Sequence, residues 1–144
     1  MNGLSTSYAD FILSTRYDQL KPEVILQSKK LILDLVGVSL AGYKLMEFPR
    51  LIVSFVETLG GIPEATIIQT KKKFPAVNAA FANAACAHAL DMDDGHRVAA
   101  LHPGTVIIPA ALAAAEMSGA TSKEMIAGVV AVYEVMIRIG MAIN

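Results

Sequence analysis

The spacing of apolar positions along the chain predicts a succession of helices. Residues 5–19 carry Tyr8, Phe11 and Ile12 near helical spacing, with Ser5 or Ser7 placed to cap the start. A second helix begins at Pro22, whose fixed φ suits a first helical position, and ends at Gly42. Within it Val24, Ile25, Ile32, Leu35, Val36 and Val38 form an apolar stripe, while Lys29, Lys30 and Asp34 face outward. A third helix covers residues 49–59 and is closed by Gly60-Gly61. Residues 65–69, ATIIQ, are the one strand-like run, short and rich in β-branched side chains.

Pro75 opens a fourth helix that runs to about residue 90, built largely from alanine with Val77, Phe81 and Leu90. A fifth begins near Pro103-Gly104 and runs to Ser118, with Gly119 as its stop. Pro109 falls inside that pattern and predicts a kink or a delayed start. Thr121-x-x-Glu124 is a capping box that opens the sixth helix. No repeat or low-complexity linker interrupts the series. The fold class is all-α with at most one short strand. Residues 125–143 are apolar on every side, and such a helix needs neighbours all round. With no stop signal after Ile143, the expectation is a portion of something larger or one half of an obligate assembly.

Composition narrows the setting. A hydrophobic content of 54% and a mean hydropathy of +0.50 raise the possibility of a membrane span, for which residues 125–143 are the best candidate. That stretch holds Glu134 and Arg138, each costing a few kcal/mol at a bilayer centre. Their i,i+4 spacing makes them an ordinary helix ion pair, so no membrane association is expected. A net charge of -1 offers phosphates no basic face, which argues against a nucleic-acid partner. Lys71-Lys72-Lys73 reads as a solvated turn. The single cysteine, Cys86, excludes an internal disulfide framework and reads as a small buried hydrophobe. It fits a reducing, cytoplasmic compartment, and the N-terminus has no secretory pattern.

The candidate chemistry is confined to one stretch, HALDMDDGHRVAALHPGTVIIP, residues 88–109. It holds all three histidines, and Asp91, Asp93, Asp94 and Arg97 are the only charged side chains between Lys73 and Glu116. An EF-hand loop fails, because counting from Asp91 puts Gly95 fifth and His102 twelfth. A magnesium–pyrophosphate helix motif lacks a carboxylate one turn beyond Asp94. A His–carboxylate metal site has candidates in His88 and Asp91, yet the spacing fixes no ligand geometry, and the expectation is no metal. Acid–base chemistry fits the residue types better: a histidine that titrates near neutral pH, aspartates to orient it, and cationic groups to hold carboxylates. Pro103-Gly104 adds backbone N–H groups at a helix start, a natural carboxylate-binding corner. Equally open from the residues alone, the aspartates cap helices and the histidines lie on a surface loop.

The blocks NAACAHALDMDDGHR (83–97) and LHPGTVIIPAALAAAE (101–116) resemble the MmgE/PrpD family, which includes 2-methylcitrate dehydratase, cis-aconitate decarboxylase and iminodisuccinate epimerase. LILDLVGVSLAG (31–42), PAVNAAFANAA (75–85) and RIGMAIN (138–144) support the resemblance, which spans nearly the whole chain. It implies that residues 1–144 form the N-terminal portion of a large helical domain, without the family's smaller α+β domain. It further implies a cofactor-free, homodimeric lyase or isomerase acting on a small di- or tricarboxylate by dehydration, decarboxylation or epimerisation. The family's active-site Asp and His match Asp91 and His102.

Two departures qualify what carries over. The decarboxylase branch has Thr then Trp after the paired aspartates, where this chain has Gly95-His96-Arg97, and the interval from Asp91 to His102 is one residue longer. Asp94, Gly95, His96 and Arg97 are the expected substrate contacts, and the departure leaves open which carboxylate they hold. The family's second His and its Lys lie later in longer chains, so activity is expected only with a complementary part, either a C-terminal chain or a longer polypeptide. The alternative is a non-catalytic helical remnant that only oligomerises.

Overall fold

A computed structural model describes residues 3–143. Its elements are α1 (Leu4–Ser14), a 3₁₀ turn (Tyr17–Gln19), α2 (Pro22–Leu45), α3 (Glu47–Leu59), β1 (Ala65–Ile67), β2 (Lys72–Phe74), α4 (Ala76–His88), α5 (Pro103–Ser118) and α6 (Ser122–Ile143). The fold is helical with one small antiparallel hairpin, as the hydrophobic pattern predicts for its class.

Several boundaries differ from expectation for local reasons. The helix expected over residues 5–19 stops at Ser14, because the Ser14 and Thr15 hydroxyls donate to the Phe11 carbonyl at 3.1 and 2.8 Å. Such side chains compete with the continuing helix for backbone partners. Its N-cap is Gly3, not Ser5 or Ser7. α2 runs past Gly42 to Leu45, and Gly42 is a contact point, not a terminator. A Cβ there would collide with the Cys86 backbone carbonyl and lie 3.2 Å from the Ala89 Cβ, so glycine lets α2 and α4 approach closely. α5 starts at Pro103 without delay and continues through the buried Pro109.

The hairpin pairs Ala65 with Phe74, Thr66 with Lys73 and Ile67 with Lys72. Ala65, Ile67 and Phe74 point into the core. The expected strand ends two residues early, since the chain turns after Ile67, with Lys71 left-handed at φ 59°. β2 was hidden by its lysines: Lys72 and Lys73, read as a solvated turn, occupy its exposed positions. They pair with Glu57 and Glu116, each at 3.1 Å.

α4 is the central element, packed against α2, α3, α5 and the hairpin. Its buried Ala79, Ala82, Cys86 and Ala87 are small enough to let the neighbours close in. Asn83, 2% exposed, accepts the Ile68 N–H at 3.0 Å and donates to the Thr66 carbonyl at 2.9 Å, fastening the hairpin to the helix. A second cluster, Leu35, Ala87, Ile108 and Val129, joins α2, α4, α5 and α6.

The capping box forms as predicted: Glu124 Oε2 accepts the Thr121 N–H at 2.8 Å, and Thr121 Oγ1 accepts the Glu124 N–H at 3.3 Å. α6 has 22 residues, and among the described residues it alone is long and apolar enough to cross a membrane. Its Glu134 and Arg138 form the expected ion pair at 2.7 Å. Ile126, Ala127, Val129, Ala131 and Gly140 are buried. Between α5 and α6 lies an apolar groove of about 750 Å³, lined by residues such as Val106, Ala110, Val132, Met136 and Ile139.

Candidate active site

The polar loop spans residues 89–102, from the end of α4 to the start of α5. Two anchors on α6 hold it. The Tyr133 hydroxyl donates to Asp94 Oδ2 at 3.2 Å, and the Gly104 N–H at the start of α5 donates to Asp94 Oδ1 at 2.8 Å. Seven residues further along, on the same face of α6, Gly140 receives the underside of the loop. A Cβ at Gly140 would stand 2.6 Å from Leu101 Cδ1 and 2.8 Å from Ala99 Cβ.

The loop also closes on itself. His96 and Leu101 exchange backbone hydrogen bonds at 2.8 and 3.3 Å, forming an isolated antiparallel bridge. Ala100 takes a left-handed φ of 49°, a strained setting for a non-glycine residue. His96 Nδ1 accepts the Ala99 N–H at 3.1 Å, so that nitrogen carries no proton.

Within this frame the titratable groups converge. The Asp93 side chain is fully buried, and its carboxylate lies against both His88 and His102. His88 Nδ1 is 3.1 and 3.2 Å from its two oxygens. The carboxylate accepts there, so His88 Nδ1 carries the proton. His102 Nδ1 is 3.3 Å from Asp93 Oδ2 but is not aligned for a hydrogen bond, and this buried atom has no other partner. On the outer edge of the ring, His102 Nε2 lies 3.7 Å from Asp91 Oδ1. The two imidazoles stand edge to face, with centroids 5.0 Å apart. Asp91 takes a left-handed φ of 52°, which an aspartate tolerates, and its side chain is 80% exposed.

The structure thus brings Asp91 and His102 together, but divides the four expected substrate contacts. Asp94 faces inward; burial pushes its pKa up, while the Gly104 N–H and the Tyr133 hydroxyl pull it back. Burial first, and then the Asp94 charge, hold the Tyr133 hydroxyl well above its ordinary pKa, so it stays a neutral donor. Gly95 and Arg97 are exposed, and Arg97 makes no ion pair among the described residues. The carboxylate-binding corner expected at Pro103-Gly104 is filled from within the chain. The anion at that helix start is the chain's own Asp94, which already takes the Gly104 N–H.

Sequence reasoning missed Asp93 and His88 as partners, because their five-residue spacing is no helical repeat; the chain leaves α4 between them. Tyr133 sits 39 positions from Asp94, and no local pattern signals the contact. Cys86 is buried in the core cluster that includes Val53, Val56 and Ile67, and desolvation pushes its thiol up to about 12, which keeps it protonated and unreactive.

A comparison with curated proteins returns no match. The MmgE/PrpD N-terminal domain matches residues 6–144, which takes in α2 to α6, most of α1, the hairpin and the whole Asp–His loop. By that match over nearly its full length, the chain belongs to the MmgE/PrpD family.

Proposed function

We propose that the chain supplies one part of an active site for acid–base chemistry on a small di- or tricarboxylate: dehydration, decarboxylation or epimerisation, without a cofactor. The observation that carries this reading is the Asp93-centred pair, His88 and His102, with Asp91 exposed beside the His102 Nε2. His102 and Asp91 are the groups that move protons. In the forward sense, one takes the proton from the carbon next to a substrate carboxylate as that C–H bond breaks. The other returns a proton to a leaving hydroxyl or to the opposite face of the same carbon; in a decarboxylation the C–C bond to a carboxylate breaks instead, CO₂ leaves, and the proton goes to the carbanion left behind. Asp93 and His88 position the His102 ring from behind. Arg97 and His96, on the exposed turn, supply a cation and a ring donor for a second substrate carboxylate.

The remaining catalytic groups come from a longer polypeptide or a complementary chain, in a cytoplasmic homo-oligomer without nucleic-acid or membrane partners. The apolar α5–α6 groove supports such an assembly. It equally supports the second reading, a helical remnant that oligomerises without turnover.

The test is turnover of candidate carboxylates by the complete assembly in D₂O, read by NMR. His102→Ala should lower kcat by about 10²–10⁴ with the helical circular dichroism retained, since positioned acid–base groups contribute on that order. Asp91→Asn should slow turnover as well. Unchanged activity in folded His102→Ala removes that residue from the mechanism. Lost helicity with undiminished specific activity in both variants supports the remnant reading.

A further inference from the structure

The four groups at the loop also satisfy a separate chemistry. His88, Asp91, Asp93 and His102 each offer one ligand atom, and these atoms all lie within 4.8 Å of one another. Four ligands about 2.0–2.1 Å from a tetrahedral ion are separated from each other by roughly 3.3–3.4 Å. The separations in the structure straddle that edge: 3.1 Å for His88 Nδ1 to Asp93 Oδ1, 3.3 Å for His102 Nδ1 to Asp93 Oδ2, and 3.7 Å for His102 Nε2 to Asp91 Oδ1. Coordination through His88 Nδ1 requires that its proton move to Nε2 of the neutral ring, and His102 can use only one of its two nitrogens, so the cluster must tighten on one side. The Asp91 side chain, 80% exposed, is free to make that adjustment, and Asp93, fully buried, supplies the fixed corner.

The donor set selects the ion. Two imidazoles and two carboxylates match zinc and its neighbours, whereas magnesium and calcium favour all-oxygen shells. Two carboxylate side chains among the four donors also suit a divalent ion, whose charge they offset. The buried His102 Nδ1, without an aligned hydrogen-bond partner, is a further sign of unused coordinating capacity.

We propose that His88, Asp91, Asp93 and His102 form a binding site for one divalent transition-metal ion of the zinc class. The site goes beyond the acid–base reading, and its existence does not depend on that reading; that a bound ion would occupy His102 and Asp91 and so block proton transfer does rest on it.

Equilibrium dialysis of the purified full chain against Zn²⁺, and the visible absorption of its Co²⁺ form, test the site without any activity measurement. One ion per chain is expected, with a low-coordinate Co²⁺ spectrum. Asp93→Asn and the double variant His88→Ala/His102→Ala should weaken binding at least tenfold, while His96→Ala leaves it unchanged. Circular dichroism identifies which variants are folded. Absence of a stoichiometric ion in the native chain overturns the proposal, as does retained binding in the folded double variant. Loss in His96→Ala equal to that in the double variant also overturns it, because it would mark adventitious binding by exposed histidines. Failure here leaves the acid–base reading untouched, and loss of turnover in His102→Ala says nothing about the ion.

Discussion

Tyr133 on α6 donates its hydroxyl to Asp94 at 3.2 Å, and the same carboxylate caps the first turn of α5 through the Gly104 N–H at 2.8 Å. One side chain thereby ties the polar loop to two helices, and the loop carries Asp91, Asp93 and His102 with it. The space around the carboxylate is closed. A Cβ at Gly104 would collide with Asp94 Oδ1 and stand 2.7 Å from the Tyr133 oxygen.

Tyr133→Phe tests the tie directly. It removes one donor to a partly buried carboxylate and keeps the ring, so unfolding should be easier by about 0.5–1.5 kcal/mol, the usual net worth of a hydrogen bond. The reading is a lower midpoint in thermal or denaturant unfolding with an unchanged helical signal. Equal midpoints for the two proteins would show that the contact does not hold the loop.

Gly104→Ala puts a methyl group into that occupied space. Because the nearest atoms belong to a hydrogen-bonded carboxylate and a packed tyrosine, relief requires breaking the tie. A loss of about 1–3 kcal/mol is expected, the range for overpacking a well-filled site. Tyr133→Phe/Gly104→Ala should lose less than the sum of the two single variants, since both act on Asp94. Strict additivity in chemical unfolding counts against a shared cause.

Much of this is legible in the sequence, and the exceptions have physical causes. The capping box Thr121-x-x-Glu124 and the Glu134–Arg138 pair are local, and local rules place them correctly. Gly42 misled because a glycine near a helix end has two meanings, terminator or close-approach point. Only the position of Cys86 on another helix decides between them. β2 was obscured because lysines on an exposed edge erase the alternation that marks a strand. In the site, residue types located the loop, and the structure brings together the expected pair Asp91 and His102. That Asp94 turns inward while Asp93 joins the histidines depends on Tyr133 and Gly104, which the loop sequence does not contain.

The apolar groove between α5 and α6 should make the isolated chain self-associate and bind a hydrophobic dye. Its wall includes Val106, Val132 and Ile139, all exposed. Contiguous apolar surface of this kind marks an interaction site. Light scattering should give a mass above that of one chain, and Val132→Lys should lower both the mass and the dye fluorescence. A stable monomer that leaves the dye dark contradicts the expectation.

Two carboxylates at opposite ends of α5 give stability profiles of opposite sign. Burial raises Asp94 above the usual aspartate value of 3.8, against its two hydrogen-bond donors. The folded chain then holds a proton that the unfolded chain has released. Its contribution is fully present below the unfolded value and is lost as pH rises through the folded one. Glu116 is the reverse. Although desolvation opposes it, donation from the Thr66 hydroxyl and Lys73, together with the Thr66 N–H, lowers it below the usual glutamate value of 4.5. Its contribution is present above the unfolded value and is lost as pH falls through the folded one. Substitution with the neutral amide removes each titration. Asp94→Asn should therefore gain unfolding midpoint relative to the native chain as pH rises from the ordinary aspartate range through Asp94's raised value. Glu116→Gln should lose midpoint relative to the native chain as pH rises from Glu116's lowered value to about 4.5. The Glu116→Gln difference should be flat above the usual glutamate value, and the Asp94→Asn difference flat above Asp94's raised value. Unfolding followed across acid pH for the three proteins settles the signs. Parallel profiles for the native chain and Asp94→Asn would show that the Asp94 carboxylate is no harder to ionise in the folded loop than in the unfolded chain.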